Sequence, residues 1–207
     1  MNDAGPDIEI APARPLPVRQ QTRPGAPLAV VGRVGMEDQR HIFLHARAVE
    51  AILGAVPGRE HVEVGGLLVG WQCQDNIGLY LQIAGALPAR DAVGTALSVT
   101  FGHDTWESLL AEKALHHADQ DVVGWYHTHP GLGVFLSQHD LFIQRHFFAD
   151  PVQVALVVDP ADFTWGLFYW QGGDLVAARG CHVYGEPDET YQHLAELLQR
   201  YEITGQS

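Results

Sequence analysis

Apolar and polar residues follow one another along this chain in short blocks whose period keeps changing. Ala46, Val49, Ile52, Leu53 and Val56 fall on one stripe of a 3.6-residue repeat, which predicts a helix over 41–56 closed by Pro57-Gly58. Apolar, β-branched runs then predict strands near 64–71, 78–86 and 97–101. A second helix is expected over 104–118, opened by Asp104 and Glu107, with Trp106, Leu109 and Leu110 to one side. Val122-Val123-Gly124-Trp125-Tyr126 predicts a buried strand over about 121–129. Pro130 ends it, and Gly131 and Gly133 let the chain fold back. Ser137 then has the character of a helix N-cap, with Leu141, Phe142, Ile143, Phe147 and Phe148 behind it, which predicts a helix over 137–148. Strands are expected near 152–158, 164–171, 174–178 and 181–184. Tyr191, Leu194, Leu198 and Tyr201 share one stripe of a last helix over 187–202.

Strands interleaved with helices predict an α/β (α+β) fold, a mixed, twisted sheet sandwiched by helices. Residues 1–27 are rich in Pro, Ala and Arg and poor in large apolar side chains, so they are expected to be a disordered tail. Residues 28–184 would form the domain. Residues 185–207 would add an amphipathic helix packed on it.

Composition narrows the picture. With 207 residues and 46% hydrophobic content, one domain can bury a full core without disulfides or structural metals. The two cysteines, Cys73 and Cys181, lie far apart and point to a reducing compartment. No 18-residue apolar run and no N-terminal apolar segment of the secretory type occurs, so a cytoplasmic protein with no membrane contact is expected. A net charge of −13 argues against nucleic acid as a partner.

The candidate chemistry lies at the end of the 121–129 strand. His127 and His129 are two residues apart, so a strand points both to one face with Cα atoms roughly 6.5–7 Å apart. On a helix the same spacing would splay them by about 200°. Asp140 falls in the first turn of the following helix, where the helix dipole favours a carboxylate that faces the strand end. Two imidazoles and a carboxylate can hold zinc with one position left open, and such a zinc activates water. Each fragment alone has a bland reading: Ser137 and Asp140 as a capping box, the histidines as surface or core residues. In this chain's composition the joint pattern His127, Thr128, His129, Ser137, Asp140 would arise by chance on the order of 1 time in 10,000. Glu63 enters the glycine-containing run Gly65-Gly66-Leu67-Leu68-Val69-Gly70 and is the candidate general base.

Competing motifs are incomplete. No H-E-x-x-H, phosphate-binding glycine loop or G-x-S-x-G elbow occurs. His61-Val62-Glu63 matches half of the zinc deaminase signature, but the P-C-x-x-C half is missing. His116-His117 read as a solvated helix end.

Glu63, the long gap, His127-Thr128-His129, seven residues, Ser137, two residues and Asp140 together resemble the JAMM (MPN+, Mov34/PAD-1 type) metalloproteases. Val154-Ala155-Leu156-Val157-Val158-Asp159-Pro160 is similar as well, and the resemblance covers roughly residues 35–184. It implies a cytidine-deaminase-like fold and one zinc per chain, held by His127, His129 and Asp140. It implies that Glu63 is general base and proton carrier, and that Ser137 stabilises the oxyanion. The implied substrate is the peptide or isopeptide bond after the C-terminal glycine of ubiquitin or a ubiquitin-like protein, its tail extended along a sheet edge. Linkage-selective eukaryotic members carry two insertions. Ala161–Thr164 is too short for the second and Ala89–His103 holds at most a short version of the first, so deconjugation or precursor processing is the expected role. Alternatives are a peptidase releasing a small amino acid from a sulfur-carrier ubiquitin-like protein, a phage-tail or cell-wall peptidase, and a non-catalytic MPN scaffold.

Overall fold

Leu67, Leu68 and Val69 are consecutive and all fully buried, which a strand allows only when both of its faces are covered. The computed structural model describes residues 15–35, 38, 40–57, 61–90, 93–94, 99–100, 102–162, 164–186 and 194. In chain order the elements are β1 (Val18–Gln20), β2 (Ala29–Gly32), β3 (His41–His45), α1 (Ala46–Gly54), β4 (Gly65–Gln74), β5 (Leu79–Pro88), β6 (Val93–Gly94), β7 (Val99–Thr100), α2 (His103–His116), β8 (Asp121–Thr128), α3 (Gln138–Phe147), β9 (Val154–Asp159), β10 (Thr164–Gln171), β11 (Asp174–Ala177) and β12 (Gly180–Tyr184).

The main sheet runs β11-β10-β9-β8-β4-β5-β3-β12-β2, with β1 added to β4. It is mixed: β8–β9, β3–β5, β3–β12 and β1–β4 are parallel, and the other pairs are antiparallel. β6 and β7 form a separate two-stranded ribbon.

Successive side chains of each strand divide the core in two. Leu68, Leu81, Ile83, Tyr126 and Leu156 pack with Ala48 and Ile52 of α1 on one face. Leu67, Val69, Trp125, Ala155 and Val157 pack with Leu109 of α2 and Ile143 of α3 on the other. The expected α+β sheet between helices is therefore the architecture observed. Burial of each such Leu, Ile or Val contributes about 1.5–3 kcal/mol.

The alternation in β8 is broken once. Val69 pairs with Val122 but Leu68 pairs with Gly124, so Val123 is an extra, bulged residue. The bulge places Val123 and Tyr126 in the α1-side core and Trp125 in the other. Gly124 follows at φ +155°, and a Cβ there would stand 2.1 Å from the Val154 carbonyl oxygen. Only glycine fits that close approach of two backbones.

Two expectations are corrected. Residues 41–45, read as the start of a helix, form β3: His41-Ile42-Phe43-Leu44-His45 pairs with both β5 and β12, and the helix begins only at Ala46. His45 is its N-cap, its Nδ1 accepting the Arg47 N–H at 3.0 Å. Within the segment expected to be a disordered tail, Val18–Gln20 is a strand paired with Gln72–Gln74. Leu16 N–H donates to Asp150 Oδ2, and Arg23 pairs with Asp75 at 3.0 Å. Residues 1–14 lie outside the described residues, as does the 187–202 helix except for Leu194, which is buried in the α1-side core. The strand expected over 97–101 falls mostly on undescribed residues, with Val99–Thr100 in β7. Cys73 and Cys181 are both buried and unbridged. Among the described residues no helix is long and apolar enough to cross a membrane.

Candidate metal centre

His127 sits near the end of β8, where parallel pairing with Val157 and antiparallel pairing with Gly65 fix its main chain from both sides. His129 lies one residue past the strand, yet its N–H still donates to Val158 O at 2.8 Å, which continues the strand geometry. The two imidazoles therefore project to the same face, with Nε2 atoms 3.1 Å apart. Asp140 reaches them from α3. Ser137 caps this helix reciprocally: its Oγ accepts the Asp140 N–H at 3.2 Å and its own N–H donates to Asp140 Oδ2 at 2.6 Å. This capping box turns the Asp140 carboxylate toward the strand end. Oδ1 stands 3.3 Å from His127 Nε2 and Oδ2 stands 3.5 Å from His129 Nε2.

Glu63 precedes β4 and is brought in by Thr128. The Thr128 N–H donates to Val64 O at 2.8 Å, and the Val64 N–H donates to Thr128 Oγ1 at 2.9 Å. Glu63 Oε1 then lies 3.7 Å from His129 Nε2. Glu63, His127, His129 and Asp140 are each 3% exposed or less. All five residues singled out from the sequence thus meet in one place, with Ser137 beside Asp140. His61 lies in a turn outside this cluster, and His116 is exposed at the end of α2.

The donor set fits a tetrahedral ion. Ligand atoms about 2.0–2.1 Å from one zinc stand roughly 3.3–3.4 Å from each other; here the two Nε2 atoms are 3.1 Å apart and Asp140 Oδ1 is 3.3 Å from that of His127, while the second carboxylate oxygen, Oδ2, faces His129 at 3.5 Å. His127, His129 and Asp140 are the one such cluster among the described residues. Proton affinities follow from burial and neighbours. Burial opposes ionisation of Asp140, but hydrogen bonds from His127 and His129, the charge of His127 and the Ser137 hydrogen bond hold its carboxyl far below the usual range. Burial pushes His127 down, toward the neutral ligand form. Burial also opposes a charge on His129, but Asp140 and Glu63 outweigh it and raise that histidine.

Three features were not singled out in the sequence. Asp159, fully buried at the end of β9, accepts N–H bonds from Gly131, Gly133 and Ala161 at 2.8–2.9 Å and shapes the loop behind His129. Gly133 O in turn stands 3.2 Å from His129 Nδ1. Trp125 stacks on His127, and Phe135, 43% exposed, leans on His129 with ring centroids 4.6 Å apart. The third is Gln144, a fully buried amide on α3. Its only sequence signal was a polar residue within Phe142-Ile143-Gln144-Arg145-His146-Phe147-Phe148.

Residues 37–150 match the family described as JAB1/Mov34/MPN/PAD-1 ubiquitin protease. The chain belongs to this family. It is 37% identical over 138 residues to the 26S proteasome regulatory subunit RPN11 of Eremothecium gossypii, covering 66% of this chain and 43% of that protein. It is 36% identical over 101 residues to the ubiquitin carboxyl-terminal hydrolase RPN11 of Saccharomyces cerevisiae, covering 48% and 32%. It is 32% identical over 120 residues to the NAD(+) hydrolase TcpA of a Theionarchaea archaeon, covering 58% and 34%. The chain thus spans less than half the length of each of these relatives.

Proposed function

We propose that this member of the JAB1/Mov34/MPN/PAD-1 family is a zinc-dependent metallopeptidase. Its substrate would be the peptide or isopeptide bond after the C-terminal glycine of ubiquitin or a ubiquitin-like protein. The observation that carries the reading is the buried convergence of His127, His129 and Asp140 with a second carboxylate, Glu63, 3.7 Å from His129. The family and the similarity to a ubiquitin carboxyl-terminal hydrolase support the substrate class.

His127, His129 and Asp140 would hold one zinc, using two imidazole nitrogens and a carboxylate oxygen. When bound, zinc supplies a Lewis acid that makes water nucleophilic near neutral pH. Glu63 takes the proton of the attacking water and passes it to the departing amine. The Ser137 hydroxyl, held at the N-cap of α3, donates to the oxygen of the substrate carbonyl as negative charge develops there. The four residues between β9 and β10 leave little room for a clamp on a second ubiquitin. Deconjugation or precursor processing therefore fits better than selection of one chain linkage.

The test uses a ubiquitin-like protein carrying a C-terminal amide-linked fluorophore. The zinc-loaded chain should cleave it after the terminal glycine, lose activity on chelation and regain it with one equivalent of zinc. Cleavage that persists in rigorously metal-free protein would contradict the reading.

A further inference from the structure

The two histidines of the centre are oriented by different means. Imidazole ligands ordinarily present their second nitrogen to a carbonyl, carboxylate or water, which fixes the ring. His129 does so, with Nδ1 against Gly133 O at 3.2 Å. His127 does not: its Nδ1 is buried and has no hydrogen-bond partner among the described residues. Its plane is set by a ring instead. The Trp125 indole stacks on it at 4.4 Å between centroids and 13° between planes.

Trp125 is itself held. Its Nε1–H donates to Gln144 Oε1 at 2.7 Å, and Gln144 Nε2 donates to Phe148 O at 3.0 Å and Gln153 O at 3.3 Å. Both faces of this buried amide, donor and acceptor, are engaged, so its orientation is fixed. Gln144 is also one helical turn after Asp140, on the same inward face of α3. One side chain therefore ties the strand that carries His127 to the helix that carries Asp140.

We propose that Trp125 and Gln144 are positioning residues for the metal centre, with Gln144 locking the indole and the indole taking the place of the missing hydrogen bond at His127. The proposal rests on the zinc reading and deepens it. A purely structural role would cost stability alone. A positioning role moves metal affinity and ligand geometry.

The experiment titrates the metal-free chain with Co²⁺, followed by visible absorption, and with Zn²⁺ in competition with a chromophoric chelator. Gln144→Met and Trp125→Phe are compared with Gln153→Met, which removes the side-chain bonds to Val122 O and from the Asp150 N–H but leaves the main-chain carbonyl that Gln144 uses and does not touch Trp125. Thermal unfolding of each metal-free protein is recorded alongside. Gln144→Met and Trp125→Phe should bind metal about 10–100-fold more weakly, with altered Co²⁺ bands. The double variant should be little weaker than the worse single one. Gln153→Met should melt earlier and keep wild-type affinity. If Gln144→Met does not fold, Trp125→Phe carries the same comparison. Wild-type affinity and spectrum in both variants, or an equal loss in Gln153→Met, would overturn the proposal. A wild-type chain that binds neither ion would overturn the zinc reading and the proposal with it.

Discussion

Thr128 grips Val64 twice, with its main-chain N–H on Val64 O and its side-chain oxygen on the Val64 N–H. The residue between the two histidines therefore places the residue next to Glu63. Both are buried, so the second bond cannot be replaced by water. Thr128→Val keeps the shape and removes the acceptor, leaving a buried N–H unsatisfied at a cost of about 1–3 kcal/mol. Thr128→Ser keeps the bond. Denaturant unfolding should show the loss in the valine variant only, and peptidase activity should fall with it. Equal stability of the two variants would contradict this role.

Asp159 holds the loop that follows His129 through the N–H groups of Gly131 and Gly133, and its own turn through that of Ala161. Asp159→Ala frees all three donors and slackens the carbonyl of Gly133 that faces His129 Nδ1. A loss of about 3 kcal/mol or more is expected, at roughly 1 kcal/mol or more for each of the three bonds. Zinc affinity should drop as well. Calorimetric unfolding with and without zinc measures both, and an unchanged affinity would sever Asp159 from the centre.

Gly124 is a packing constraint rather than a functional one. Gly124→Ala forces a Cβ into the Val154 carbonyl and an unfavourable φ onto β8. Strain and overpacking together should cost about 3 kcal/mol or more. Thermal melting checks this, and a variant within 1 °C of wild type would mean that the β8–β9 approach can relax.

The raised proton affinity of His129 gives the centre a pH signature. Zinc needs a neutral imidazole, so a proton on His129 competes with the metal. The competition begins above the ordinary histidine value of 6.5 and strengthens as pH falls. Affinity should decrease by up to about tenfold per pH unit for the one proton. The metal-free fold has the opposite dependence: a raised histidine stabilises it at low pH, and that share is lost as pH rises through the raised value. Competition titrations between about pH 8 and pH 6 should show the fall in affinity; a flat profile would contradict it.

The site was legible because its signals are local. The i, i+2 rule of a strand brings His127 and His129 together, and the Ser137-Asp140 spacing is a capping box whose carboxylate also faces the histidines. What was hidden depends on distant pairing. His41–His45 carries the same apolar residues a buried helix would, and only parallel pairing with β5 and β12 makes it a strand. Val18–Gln20 has no alternation to betray it; its partner is Gln72–Gln74, more than 50 residues away. The bulge at Val123 arises from the register between β4 and β8. Gln144 looks like an ordinary polar helix residue until Trp125 is placed opposite it.

Proton transfer in the proposed hydrolysis turns on Glu63. In Glu63→Gln the side chain keeps its size and loses its ability to take a proton, while His127, His129 and Asp140 are untouched. Metal content and cleavage of a ubiquitin-like C-terminal amide should be measured on the same preparation. The account predicts one zinc per chain, as in the wild type, and a fall in kcat of at least about 100-fold. Near-wild-type turnover with zinc in place would contradict it.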